Sequence, residues 1–239
     1  MKAWLFPICN VGFKTTLRLF ADYKVEGREN IPARGPAIFV ANHLSNLDPP
    51  IVAAVSGRRP GFLAKEELFK LWPFAFLLRA YGAHPIDRRN VDRAGMKWAL
   101  SRLKEPDGAL VLFPEGTRDK VRAGMKSGLP GVAQLASLSG APIVPMGITG
   151  SEPLQKPWHT VVPATKLRVT IGPAFRLSLS GNKSTLRNDL RVATDEIMVR
   201  VARLVPESYR GYYRDRMDMP MVHTLDLDHG ATVMAEAQA

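Results

Sequence analysis

From residue 23 onward, short apolar runs alternate with stretches of helical spacing. Four runs, at 37–41, 79–86, 109–113 and 142–149, read as buried strands, each followed by polar or turn-forming residues. A fifth, 166–171, places Leu167, Val169 and Ile171 on alternate positions and reads as a late strand. Between them, 91–104 brings Met96, Leu100 and Leu103 to one helical face, and 130–139 opens with Pro130 and stops at Gly140. Ser184 starts a longer helix whose Leu186, Leu190, Ala193, Ile197, Val201 and Leu204 recur at spacings of three and four. Strands alternating with helices predict an α/β fold with a mostly parallel central sheet covered by helices on both faces.

The two ends read differently. Residues 1–22 mix Trp4, Leu5, Phe6, Phe13, Leu17, Leu19 and Phe20 with Lys2, Lys14 and Arg18, which predicts a short N-terminal amphipathic helical segment. It suits a lipid interface and a cap on the domain core equally well. Beyond Pro206 the periodicity dissolves, so 23–206 is expected to form one domain and 207–239 a poorly ordered C-terminal tail. The segment 68–79 is aromatic-rich with cationic flanks; it reads either as an interfacial element or as a core helix leading to Gly82.

Composition narrows the class. A net charge of +11 points to an anionic partner, with nucleic acid, anionic lipid headgroups and phosphate-bearing substrates all eligible. Cys9 is the only cysteine, which excludes an internal disulfide and a cysteine-rich metal site. The N-terminal apolar run is too short for a signal peptide, and no stretch approaches the roughly 20 apolar residues that span a bilayer. The expectation is a protein that does not cross a membrane but can sit on one.

Two polar clusters carry the candidate chemistry. Asn42-His43-Leu44-Ser45-Asn46-Leu47-Asp48 follows the first strand run, and Phe113-Pro114-Glu115-Gly116-Thr117-Arg118 closes the third. Ligands in α/β folds bind outside the carboxyl ends of parallel strands, so the two clusters predict one composite site. A carboxylate that holds an imidazole in one tautomer makes it a better general base, which is what His43 and Asp48 offer. Five residues apart on a helix they would diverge by roughly 140°, so the chain must turn between them. Asp48 precedes Pro49 and looks like a helix N-cap, and the competing reading is a capping aspartate beside an uninvolved loop histidine.

In the second cluster Gly116 permits close backbone approach and Arg118 can grip a phosphate through paired hydrogen bonds; a solvent-facing turn is the alternative. Arg88 follows the second strand run, either on a ligand or paired with Asp87. There is no G-x-S-x-G elbow, no Walker A sequence and no G-x-G-x-x-G, and His159, His223 and His229 lack metal-ligand spacing. A base with no protein nucleophile suits direct transfer of an activated carbonyl to a hydroxyl.

In order and spacing these segments resemble the glycerolipid acyltransferases, in particular the 1-acyl-glycerol-3-phosphate (lysophosphatidate) acyltransferases. Residues 42–48 look like their N-H-x4-D block, 82–88 like the second block, 113–118 like the third and Val144-Pro145-Met146 like the fourth, with Lys65-Glu66-Glu67-Leu68 similar to the K-x-E-L element. The resemblance covers about residues 24–175 and implies a glycerol-3-phosphate acyltransferase-like fold. It implies transfer of a fatty acyl chain from a coenzyme A or acyl-carrier-protein thioester to lysophosphatidate, giving phosphatidate. His43 would be the base and Asp48 its orienting partner. Glu115, Gly116, Thr117 and Arg118 would line the acceptor site, Arg88 and Lys65 would meet the phosphate, and Pro145 would shape a substrate pocket. No cofactor or metal is implied beyond the thioester co-substrate. Expected partners are the two substrates, acyl carrier protein as one possible donor, and an anionic membrane surface, which places the enzyme peripherally on the cytoplasmic face; nucleic acid is not expected. His84 departs from the apolar residues usual in the second block, leaving other acceptors open: another lysophospholipid, an ornithine lipid or a glycolipid. A non-catalytic lipid-binding protein is the alternative of another class.

Overall fold

The computed structural model describes residues 5–70, 75–76, 78–79, 81–86, 93–117 and 124–227. Its strands form one sheet: β1 Asp22–Glu26, β2 Ala37–Ala41, β3 Gly61–Lys65, β4 Ala83–Ile86, β5 Ala109–Leu112, β6 Ile143–Thr149, β7 Lys166–Ile171, β8 Phe175–Leu177 and β9 Thr224–Asp226. Five of them, in the order β6-β2-β5-β3-β4, run parallel. On the far side of β6, β7 joins antiparallel and carries β1, while β8 and β9 add an antiparallel extension.

Among the described residues, helices α1 Leu5–Phe20, α2 Asp48–Ser56, α3 Arg93–Leu103, α4 Gly131–Ser139 and α5 Leu186–Ala202 cover the sheet. Every residue of β2 is buried, as expected of a central strand covered on both faces. Side-chain alternation splits the strands between two cores. Phe39, Ala41, Val111, Val144 and Met146 pack with Phe13 and Leu17 of α1 and Ile51 and Val55 of α2. Ile38, Val40, Leu110, Leu112 and Ile143 pack with Ala99, Val132, Leu135, Ala193, Ile197 and Val201 from the other three helices. The predicted α/β architecture, parallel in its centre with helices on both faces, is the one observed.

Details shift. Strand character in the 79–86 run is confined to Ala83–Ile86; Leu78 and Arg79 are helical, and Gly82, at φ 81°, turns the chain into β4. Strand β3 was not anticipated, because its apolar run is only Phe62-Leu63-Ala64. On α3 the buried positions are Gly95, Ala99 and Leu103, with Met96 and Leu100 at the margin, since small residues let a helix sit close on the sheet. Leu186 is exposed rather than on the core stripe of α5; the first turn there is tied down through Asp189, which accepts from the Thr185 and Ser180 hydroxyls.

The expected disordered tail is corrected as far as Leu227. Residues 207–209 and 211–216 form short 3-10 turns, Tyr213 is fully buried, and β9 pairs with β8. The absence of apolar periodicity misled here, because this segment is held by hydrogen bonds to α5: Glu196 accepts the backbone N–H groups of Val222 and His223, and Arg200 pairs with Asp226. At the other end α1 caps the core with Phe6, Phe13 and Leu17 and leaves Ile8, Val11 and Leu19 exposed. Among the described residues no helix is long and apolar enough to cross a membrane. Residues 71–74 and 77 of the aromatic-rich segment 68–79 lie outside the described residues.

Candidate active site

Strands β2 and β5 lie side by side, Val40 opposite Leu112, so the loops that follow them leave the sheet together at its carboxyl edge. The loop after β2 is drawn against β6 first. Asn42 is buried and its side chain acts as an extra rung: Nδ2 donates to the Ile148 carbonyl and Oδ1 accepts the Ile148 N–H, both at 2.8 Å. His43 then turns toward Asp48.

Asp48 is fully buried and accepts four hydrogen bonds. Its Oδ2 takes the backbone N–H of Leu44 at 2.6 Å, that of Ser45 at 2.7 Å, and His43 Nδ1 at 2.9 Å. Its Oδ1 takes the Ser151 hydroxyl at 2.6 Å. Asp48 is therefore not the helix cap expected from Pro49. Leu47 holds the cap position, Asp48 begins α2, and its carboxylate reaches back over the loop that precedes it. That reversal lets a five-residue spacing close, which a continuous helix forbids. A carboxylate accepting at Nδ1 holds the proton there and leaves Nε2 with a lone pair.

The imidazole is held from its face as well. Phe113, just past β5, stacks on His43 with ring centroids 4.2 Å apart. Only 13% of the His43 side chain is exposed. The loop after β6 closes the support: Ser45 Oγ donates to the Leu154 carbonyl, and Gln155 Nε2 donates to the Leu44 carbonyl at 2.9 Å.

Glu115 faces inward, contrary to its expected place on the acceptor. Its Oε1 accepts the His43 backbone N–H at 2.9 Å, its Oε2 accepts the Lys126 N–H at 3.1 Å, and the residue is 6% exposed. The carboxylate braces the loops after β2 and β5 against each other. Burial pushes its pKa up to about 7, with the Asp48 charge adding to the rise and the two backbone donors opposing it. Gly116 has φ 66°, and a Cβ there would lie 2.7 Å from Leu129 Cδ1. Thr117 is exposed beside it. Lys65 ends β3 with its side chain exposed on the same sheet edge, and Ile86 ends β4 opposite it. Arg88 and Arg118 lie outside the described residues. Pro145 is buried within β6 opposite Val40, its ring near Gly172, so it sits inside the sheet and not in the His43 loop. His84 is half-buried on β4 and stacks on Trp98 at 4.6 Å.

Sequence reasoning missed Ser151, Gln155 and the Lys126 backbone. Ser151 had a faint signal, since it follows the β6 run at the carboxyl edge. Among the described residues no group of three or more His, Cys, Asp or Glu is arranged to hold a metal ion.

A fold that brings a carboxylate-held histidine to the carboxyl edge of a parallel sheet, with the H-x4-D spacing, defines a class. The chain belongs to the acyltransferase family, whose profile matches residues 22–149. Among named relatives, the 1-acyl-sn-glycerol-3-phosphate acyltransferase of Bacillus subtilis is 31% identical over 151 residues, 61% of this chain and 72% of the relative. The enzyme of that name from Streptococcus pneumoniae is 35% identical over 114 residues, covering 47% of this chain and 41% of the relative. The chain thus spans most of the first relative's length and less than half of the second's. The crystal structure of the 1-acyl-sn-glycerophosphate acyltransferase PlsC from Thermotoga maritima superposes with a TM-score of 0.63 at 28% identity, over 84% of this chain and 78% of that one.

Proposed function

We propose that the protein transfers a fatty acyl chain from a thioester of coenzyme A or acyl carrier protein to the free hydroxyl of lysophosphatidate, releasing phosphatidate. The observation that carries the reading is the His43–Asp48 contact, which leaves Nε2 as a base. Nε2 takes the proton of the acceptor hydroxyl as its oxygen attacks the thioester carbonyl. The new C–O bond forms, the C–S bond breaks, and the proton passes to the departing thiolate. A thiolate leaves without strong acid help, so one base serves and no covalent enzyme intermediate is needed.

Asp48 orients the ring and stabilises the imidazolium that forms. Lys65, with Arg88 and Arg118, supplies cations for the acceptor phosphate; the position of Lys65 on the sheet edge that carries His43 supports this. Gly116 and Thr117 border the acceptor, and Glu115 acts as a brace. The names of the relatives favour lysophosphatidate over lysophospholipids with larger headgroups.

The enzyme works at a lipid interface in this reading. The outer face of α1 exposes Ile8, Val11 and Leu19, and the Thr16 hydroxyl reaches the Thr160 carbonyl. That contact sets α1 beside a segment exposing Trp158, Val161 and Val162, with Arg18 exposed on α1 and Lys156 over the Trp158 ring. Aromatic and aliphatic groups with cations beside them suit an anionic leaflet.

Thiol release from oleoyl-coenzyme A, measured with lysophosphatidate, with lysophosphatidylcholine and with no acceptor, tests the assignment. Release that depends on lysophosphatidate supports it; equal release with both acceptors, or with none, overturns the choice of acceptor.

A further inference from the structure

Residues 124–129 run between the active-site loop and the C-terminal segment and are bonded to both. Toward the site, the Leu129 N–H donates to the Pro114 carbonyl at 2.8 Å and the Lys126 N–H donates to Glu115 Oε2. Toward the C-terminus, the Met125 N–H donates to the Tyr209 carbonyl at 2.9 Å and the Met125 carbonyl accepts the Tyr212 N–H at 2.8 Å. The Gly128 N–H donates to the Tyr213 hydroxyl at 2.8 Å, and that hydroxyl donates to Asp195 Oδ1 on α5 at 3.1 Å. Successive residues of one strip thus face opposite ways, like the rungs of a narrow ribbon.

The packing along this strip leaves little room. Gly211 sits at φ 49°, and a Cβ there would fall 2.3 Å from the Met125 carbonyl oxygen and 2.5 Å from its nitrogen. A Cβ on Gly128 would fall 2.8 Å from Thr194 Cγ2 and 2.9 Å from Met198 Cγ on α5. The strip can lie where it does only because glycine stands at both crossings. Glu115, held by Lys126 on one oxygen, holds the His43 backbone with the other.

We propose that the C-terminal turns 207–216, through Tyr213 and Gly211, are a positioning element for His43, acting by way of the 124–129 strip and Glu115. The chain of contacts runs from Asp195 through Tyr213, Gly128, Lys126 and Glu115 to the His43 N–H. The four sequence blocks that suggested the activity end at Met146, so the turns 207–216 lie outside all of them. Removing the phenol hydroxyl frees Gly128, slackens the strip and costs Glu115 its second donor, and the base then wanders relative to the hydroxyl it must deprotonate.

Tyr213→Phe keeps the buried ring and deletes both hydroxyl contacts. Asp226→Ala breaks the Arg200 ion pair that secures β9, in the same C-terminal segment but off the strip. Tyr213→Phe is expected to lower kcat by about tenfold with KM for the thioester within about twofold, as loss of orientation does. Amide hydrogen exchange, which needs no substrate, should quicken at His43 by about tenfold in Tyr213→Phe and stay unchanged there in Asp226→Ala. The kinetic arm rests on the acyl-transfer reading, and the exchange arm does not: a wild type that fails to turn over lysophosphatidate would sink that reading while His43 exchange still decides this one. Unchanged His43 exchange in Tyr213→Phe, or equal quickening in Asp226→Ala, overturns the proposal.

Discussion

The backbone N–H of His43 donates to Glu115 Oε1 at 2.9 Å, and the two residues keep the 72-residue offset that registers β2 on β5. Ala37 faces Ala109 and Val40 faces Leu112, and three residues beyond that last registered pair the same pairing continues through a side chain. The sheet register thereby sets the position of the base. A slip between these two strands would move His43 away from its brace and from Phe113 together.

Asp48→Asn should lower kcat by about three to four orders of magnitude while the protein still folds. An amide carries no charge to stabilise the imidazolium, and with its Nδ2 toward the ring it donates to Nδ1, so the imidazole loses its preferred tautomer. Single-turnover kinetics in the variant would measure this directly. A loss below about tenfold would mean the carboxylate does not orient the base.

Ser151→Ala removes one of the four donors to Asp48 and leaves Oδ1 buried without it. A buried acceptor stripped of its partner costs about 1–3 kcal/mol, so urea unfolding should show a loss in that range. The same variant should lose turnover less severely than Asp48→Asn, because Oδ2 keeps its contact with Nδ1. Equal losses in the two variants would assign Ser151 a larger part than the geometry gives it.

Glu115 titrates with a raised pKa of about 7 against an ordinary 4.5, so the folded protein binds its proton more tightly than the unfolded chain. Stability from this group is complete below pH 4.5 and is lost as pH rises through about 7, an effect on the order of 3 kcal/mol. Glu115→Gln should flatten that part of the stability profile, measured by denaturant unfolding from pH 4.5 to 8. A profile as steep in the variant as in the wild type would place the titration elsewhere.

Gly116→Ala forces a side chain into left-handed backbone and against Leu129. The expected cost is about 1–2 kcal/mol for the backbone alone, with more for the contact. Adding Leu129→Ala should recover the contact portion and leave the backbone portion. Unfolding midpoints of the single and double variants separate the two, and an unchanged midpoint in Gly116→Ala would contradict both.

Much of this was legible in the chain. Strands β2 and β7 appear at the residues their apolar patterns mark, and Pro130 and Gly140 bracket α4 because proline and glycine act locally. His43 and Asp48 were readable as a pair because a short loop joins them. Ser151, Lys126 and Tyr213 were not, since each reaches the site across the fold from a segment whose spacing says nothing about its partner. Glu115 was expected to line the acceptor site, and its inward turn was not legible because its two backbone donors, His43 and Lys126, lie in separate loops. The segment after Pro206 looked disordered because hydrogen bonds to Glu196, Asp195 and Met125 hold it, and such bonds leave no hydrophobic period.

The most direct test of the central claim is phosphatidate formation from oleoyl-coenzyme A and lysophosphatidate by the wild type and by His43→Ala. The account predicts that the variant retains its fold, binds the thioester, and forms product at least about a thousandfold more slowly, as removal of a lone general base in direct transfer requires. Product formation within about tenfold of the wild type would contradict it and leave His43 without the role its geometry suggests.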